Sequence, residues 1–482
     1  RSKGLPLDIH VDCTIPDEHD NHEEDEEEAD EEKEVYNPDL YDRFGWGSPP
    51  LSASAEESSA AATVPSTATT HGQQYAEDHK DCHHPPPPFS LQDLTQILDL
   101  IVPHVARWRS LEVTCSVYEY MYNLLSRLAK CPSAPLLEVL QLYHYEDCED
   151  YEVFEPAALR EAFLLFSGNA PVLQDVALWG VHLDWDRSLS FLKGLRDLEL
   201  TYHAKDVRPS YAAFTSIIAA SPALRTLSLC LSGPQDHVPP DPSVDGIANP
   251  NDWGRPENPI SIPSLNDLVL CYHEAAYAVS LLQKLSVPNV HSLALDFDGE
   301  DYSAFVRQLT QPMPVPADSH PKLPSIIAGL EHLKISGLPC DARSIDAMYE
   351  QLGGLQTINL NCSGEDEEKL FRRLYKPSSS SSSASATPGP NTTKIVCPKL
   401  HTVTTTGIPG AEMRQFVEAR RAAGVPIKRV MLSEEDDVDE KDEKWLRAHV
   451  EEFDFFEPSD SEEEFDDVDG DEDEEQEFQH WF

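Results

Sequence analysis

Basic residues are scarce in this chain: its 482 residues hold 36 Lys and Arg against 87 Asp and Glu, a formal net charge of −51. An excess of one sign that large argues against nucleic-acid backbones and anionic membranes as partners, because both would be repelled. Long apolar runs are also missing. Stretches such as ILDLIVPHVARW (97 to 108) are interrupted by charge well short of the roughly 20 residues that span a bilayer. No apolar leader opens the sequence, and its ten cysteines are scattered without a staple-like framework. The expectation is reduced thiols and a cytoplasmic and/or nuclear location. There is no Gly-rich phosphate loop, G-x-S-x-G elbow, H-E-x-x-H pair or twelve-residue calcium loop. The expected protein is therefore not an enzyme and carries no cofactor.

What is present is acid, concentrated in two places. Residues 17 to 34 carry 13 acids and one Lys, and residues 434 to 477 carry 25 acids against Lys441, Lys444 and Arg447. These segments account for −12 and −22 of the net charge, leaving about −17 for the rest, an ordinary balance for a soluble body. LPLDIHV (5 to 11) alternates like a strand, so residues 1–15 read as the start of a repeat domain. Residues 16–88 are acidic and then rich in Ser, Pro and His, too poor in apolar side chains to offset the entropy of ordering, and are expected to be disordered. A repeat domain over 89–456 follows, with inserted loops at 233–263, 311–324 and 377–394, and 457–482 reads as a disordered acidic tail.

The repeat is spelled L-x-x-L-x-L. Its first positions are Trp108, Leu137, Leu173, Leu195, Leu224, Leu265, Val290, Leu330, Leu355, Leu400 and Ile427. Without the insertions the period is roughly 25 to 30 residues, near the window for leucine-rich repeats. The last two apolar positions share one face of a short strand, and the x positions face the other way. Six copies carry Pro two residues ahead (Pro135, Pro171, Pro222, Pro263, Pro288, Pro398), where proline ends the preceding helix and favours extended neighbours. Between strands lie amphipathic segments at 118 to 130, 210 to 221, 341 to 352 and 411 to 424, the last closed by Gly424, and a final helix is expected over 442 to 453 as a cap. The expected fold is α/β: a leucine-rich-repeat solenoid shaped as a horseshoe, with parallel inner strands and outer helices. An ordinary α/β domain with Leu-rich strands competes, but gives no reason for one spelling before every helix.

The phrases LPLDIHVDCT, FEPAALREAFLLFSGNAPVLQDVALWGVHLDW, SPALRTLSL, TTTGIPGAEMRQFVEARRAAGVPIKRVML and FFEPSDSEEE give the run from about 89 to 457 a family likeness. It resembles the leucine-rich half of the F-box-like proteins expanded in mushroom-forming fungi. The resemblance implies a protein substrate held by the repeats and presented to a cullin-RING ubiquitin ligase through a Skp-type adaptor. The adaptor-docking F-box is not legible in this chain, and the expectation places it upstream of Arg1.

Candidate contact residues follow from the strand ends: Tyr143-His144, Tyr202-His203 and Tyr272-His273, with Trp179 directly after LQDVAL. In neighbouring strands about 4.8 Å apart they would gather at one rim as large, low-entropy anchors. The competing reading is that they fill gaps between strands and turns. Among outward x positions, Arg196 and Arg225 are candidates, with Glu199, Asn266, Lys334 and Asn359 beside them. His79, Asp81, Cys82, His83 and His84 could ligate a transition metal, but one cluster in a polar linker is not a two-pair frame, so no metal is expected. Ser433, Ser459 and Ser461 precede acids at +3 and suit an acid-directed kinase. Two further functions stay open: an acidic chaperone-like binder of basic proteins such as histones, and a metal-dependent enzyme built on the His/Cys patch.

Overall fold

The computed structural model describes residues 4–14, 89–144, 151–237, 251–254, 259–297, 299–315, 322–362, 364–376 and 395–457. The expectations for 16–88, for the His79–His84 patch, and for Ser459 and Ser461 in the tail lie outside these.

Among the described residues fifteen strands run in chain order: β1 (Leu7–Cys13), β2 (Trp108–Cys115), β3 (Val139–His144), β4 (Asp175–Trp179), β5 (Asp197–Thr201), β6 (Thr226–Cys230), β7 (Ile260–Ser261), β8 (Asp267–Cys271), β9 (Leu285–Ser286), β10 (Ser292–Asp296), β11 (His332–Ser336), β12 (Thr357–Asn361), β13 (Thr402–Thr406), β14 (Arg429–Ser433) and β15 (Glu452–Phe456). Thirteen of them form one parallel sheet in sequence order; β7 and β9 form a separate parallel pair. Each strand of the large sheet lies beside the next strand of that sheet in the chain, and the fold is an α/β, solenoid-like stack. The register is the one the spelling implies. Leu140, Val176, Leu198 and Leu227 are successive partners, as are Leu142, Leu178, Leu200 and Leu229, and all are buried. The leading Leu137, Leu173, Leu195 and Leu224 are buried beside them.

The prolines do more than end helices. In all six copies the leading apolar residue donates its amide to the carbonyl three residues back, as in Leu137 to Ala134 (3.3 Å), Leu224 to Ser221 (3.1 Å) and Leu400 to Cys397 (3.1 Å). Pro therefore occupies the second position of a tight turn, where its fixed φ is already correct and no amide is missed. The expected helices appear at Tyr118–Leu128, Tyr211–Ala219, Ala342–Gln351 and Gly410–Ala422. Ser210 and Asp341 cap two of them through side-chain oxygens, and Gly424, at φ +79°, follows the last in the left-handed region. Their apolar faces join the inner strand residues in one core on one side of the sheet. The opposite face carries no helix in the described residues.

Two expectations are corrected. The last helix is Glu440–His449 and does not reach 453; the chain turns extended at Val450 and adds β15 beside β14, with Phe453 opposite Val430. The strand takes the terminal position, because Phe453 covers apolar surface that β14 would otherwise expose. The 233–263 loop is also not all loop: its end supplies β7, and Trp253 docks on the helices, stacked on Tyr211 at 5.2 Å and donating its indole N–H to Gln235 O at 2.9 Å.

Candidate interaction surface

Alternation sends neighbouring residues of a strand to opposite faces and so separates Tyr143 from His144 inside β3; Tyr202-His203 and Tyr272-His273 follow the ends of β5 and β8, where the tyrosine's positive φ, not strand alternation, sets the direction. Tyr143 and Trp179 are register partners on the helix-free face, while His144 turns inward, edge-on to Tyr118 at 5.0 Å. His203 and His273 are likewise buried. His203 Nε2 lies 2.9 Å from Val181 O and its Nδ1 2.8 Å from Ser232 Oγ, and His273 Nε2 lies 3.1 Å from Leu229 O. A ring nitrogen facing a carbonyl must donate, so each ring is a fixed strut at the strand ends. Burial pushes each down to about 3, which keeps it neutral. The three histidines are thus packing residues and not contact anchors.

The tyrosines and the tryptophan do gather, as an aromatic row across four repeats. Tyr143 meets Trp179 edge-on at 5.2 Å, Trp179 meets Tyr202 at 6.2 Å, and Tyr202 stacks with Tyr272 at 6.4 Å. Tyr143 (8 % exposed) and Trp179 (2 %) are the covered floor of this row; Tyr202 and Tyr272 are half-buried and reach the surface. Trp179 donates its N–H to Glu199 Oε1 at 2.7 Å, and Tyr272 donates its hydroxyl to Asp296 Oδ2 at 3.2 Å. Residues 151 to 154 run beside the row: Tyr151 lies 6.0 Å from Tyr202, and Lys205 bonds Tyr151 O through its amide while its ammonium bridges Glu152 and Glu274.

The residue just after the strand has positive φ in six repeats: Gly180 (62°), Tyr202 (51°), Leu231 (45°), Tyr272 (53°), Gly337 (62°) and Gly407 (79°). Only glycine adopts this region without cost; a side chain there adds about 1 to 2 kcal/mol. Tyrosine therefore stands at a glycine position in two neighbouring places, β5 and β8, separated by a single strand.

The same face is acidic. Asp175 and Asp197 are register partners, with Glu199, Asp267 and Asp296 nearby on the outward positions of β4 to β10, which hold no Lys or Arg. Burial and the charge of Asp197 push Asp175 and Asp267 each up to about 6. Arg196 and Arg225 sit one residue ahead of their strands on neighbouring turns, Arg225 N bonding Arg196 O at 2.6 Å; both are exposed at the edge of this face.

No protein-family model and no curated protein matches the chain. Among the described residues, no group of three His, Cys, Asp or Glu is arranged to hold a metal ion, and no helix is long and apolar enough to cross a membrane. Ser433 is fully buried, its Oγ accepting from Glu435 N, so it does not offer its hydroxyl to a kinase in the folded chain. The sequence reading missed the left-handed tyrosines and the acidic row. Period-two alternation would have separated Tyr143 from His144, and aligning strand ends would have set Tyr202 and Tyr272 against Gly180, Gly337 and Gly407.

Proposed function

We propose that the chain is a leucine-rich-repeat horseshoe that recognises a protein partner on the helix-free face of its sheet, acting by surface recognition and not catalysis. The observation that carries this reading is the pair of tyrosines held in glycine conformations. Backbone strain is retained where the side chain is used, and these two rings form the exposed end of a continuous aromatic row. The sequence resemblance supplies the setting: an F-box-like module that captures a substrate for a cullin-RING ubiquitin ligase.

Replacing Tyr202 and Tyr272 by Gly tests it. Strain relief of about 1 to 2 kcal/mol per site offsets lost aromatic packing of similar size, so stability should change little. A photo-crosslinking residue at 272 should capture a protein that one at the outer-helix position 216 does not. The purified partner should then bind the Tyr202→Gly/Tyr272→Gly variant at least about tenfold more weakly. Equal capture at both positions, or unchanged affinity, would sink the reading. Co-purification of a Skp-type adaptor with the full-length gene product tests the ligase setting separately.

A second reading draws support from Asp175, Asp197, Glu199, Asp267 and Asp296 on the outward positions of β4 to β10: a binder of basic proteins. Such binding should weaken steeply with moderate salt, because exposed charges are screened within about 8 Å at physiological ionic strength. If deleting residues 434–482 abolishes it, the tail and not the sheet face is the site.

A further inference from the structure

Eight cysteines lie in the described residues, none in a disulfide. Four of them are cross-strand register partners: Cys13 with Cys115 on β1 and β2, and Cys230 with Cys271 on β6 and β8. Partners in adjacent parallel strands stand about 4.8 Å apart at Cα, inside the 4.4 to 6.8 Å that a disulfide tolerates. Their Cβ atoms must close to about 3.8 Å, so the backbone has to yield. The two pairs differ in how readily it can. Strands β6 and β8 are interior, each held on both sides; among the described residues β1 is the edge of the sheet, bonded to β2 alone, and Cys13 and Cys115 are the last residues of their strands. The two thiols at this edge also share a hydrogen bond.

We propose that Cys13 and Cys115 form a thiol–disulfide exchange site, at which a low-molecular-weight disulfide oxidises the pair and staples the first strand to the repeat body. The Cys13 thiolate, favoured by the Cys115 S–H that donates to it, attacks one sulfur of the small disulfide and expels a thiolate, leaving a mixed disulfide. Cys115 then loses its proton and attacks the Cys13 sulfur. The protein bond forms, a second small thiol leaves, two protein thiols have been oxidised, and one disulfide has been reduced to two thiols. Both side chains are buried, so the reagent enters when the edge strand opens locally, the least costly opening in the sheet. The bond closes a loop over the whole span between residues 13 and 115 and prevents β1 from leaving. This inference does not depend on what the helix-free face binds.

The test uses the full chain with oxidised glutathione as the probe, followed by acid quench, alkylation and peptide mapping without reductant. The peptide over 4–33 should be found joined to that over 110–127, the join should vanish with dithiothreitol, and the 226–284 peptide, which holds Cys230 and Cys271, should keep both thiols. Amide exchange across Asp8–Val11 should slow by about tenfold or more on oxidation. Cys115→Ser should instead accumulate glutathione on Cys13. A wild-type chain that stops at that mixed disulfide, links Cys230 to Cys271 as readily, or keeps all four thiols under conditions that oxidise the unfolded chain overturns the proposal.

Discussion

Arg420 is the side chain whose removal tests the packing argument most directly. It is fully buried in the helix Gly410–Ala422, faces no carboxylate among the described residues, and is held by main-chain carbonyls: Nη1 to Val396 O at 2.8 Å, Nη2 to Cys397 O at 2.7 Å, with Leu374 O and Leu400 O at 3.4 and 3.5 Å. Its fork therefore ties the chain at 374 to the chain at 396–400, on either side of the 377–394 insertion. Burial pushes the guanidinium below its ordinary 12.5, but not far enough to discharge it at neutral pH. Each short charge-assisted bond contributes about 1.5 to 3 kcal/mol. Arg420→Ala strands the carbonyls and empties the stem's volume, and the relief of the buried charge offsets part of the loss, leaving a cost of about 3 to 5 kcal/mol. Arg420→Lys keeps a buried charge without the fork and should be no milder. A repeat array need not unfold in one step, so the effect is best read locally. Hydrogen exchange at Leu400–Val403 should accelerate by more than a hundredfold while that at Leu140–Leu142 changes little. Arg420→Ala within about 0.5 kcal/mol of wild type in urea, with unchanged exchange at 400–403, would refute the reasoning.

Three further outcomes follow from single residues. Asp175 titrates near 6 when folded against 3.8 ordinarily, so the native state binds the proton more tightly and this group's contribution falls as pH rises from about 4 to about 6. Asp175→Asn should raise the thermal midpoint at pH 7, by the equivalent of about 1 to 2 kcal/mol after allowing for partial solvation, and leave it unchanged at pH 4. Gly337 has φ +62° and an added Cβ would lie 2.0 Å from Phe297 O, so Gly337→Ala should cost about 3 kcal/mol or more in denaturant unfolding. Ser433 should take up no phosphate when the folded chain is incubated with an acid-directed kinase and mapped by mass spectrometry, and Ser433→Glu should lower the thermal midpoint, because it buries an unpartnered charge.

Much of the fold was legible because the sheet repeats one local problem. Every strand needs two apolar residues on one face and a third at its entry, and that spacing survives insertions of any length. The 13-strand sheet adds only β15 to what the spelling announced. Glu452 and Phe453 fell into the helix expected over 442 to 453 because Trp445, Leu446, Val450 and Phe453 also fit helical spacing and no Gly or Pro marks the break at Val450. No buried role was read for Arg420 within the amphipathic segment at 411 to 424. Yet Met413, Phe416, Val417 and Arg420 fall on one helical stripe, all buried, and the stripe, followed to its end, predicts the burial. The aromatic row was legible as a set of residues but not as a geometry: sequence showed that the rings cluster after strands, while only alternation and the sign of φ showed which of them face outward.

That sign links fold to surface. The backbone after each strand must bend to enter the next crossover, and six repeats solve this with the same left-handed residue, whose amide continues the ladder in each of the two tyrosine cases, Tyr202 N to Cys230 O and Tyr272 N to Asp296 O. Because the hydrogen bond is made by the main chain, the side chain at this position is not needed to form the turn, and glycine serves it at least cost. A tyrosine there adds strain that the turn does not require. What offsets it in the folded chain is contact with the neighbouring rings, and those contacts exist only because the strands at 175–179, 197–201 and 267–271 lie in register. The row is therefore a product of the whole stack: shifting any one of these strands by a residue would send its outward ring position into the core and its leucines to the surface.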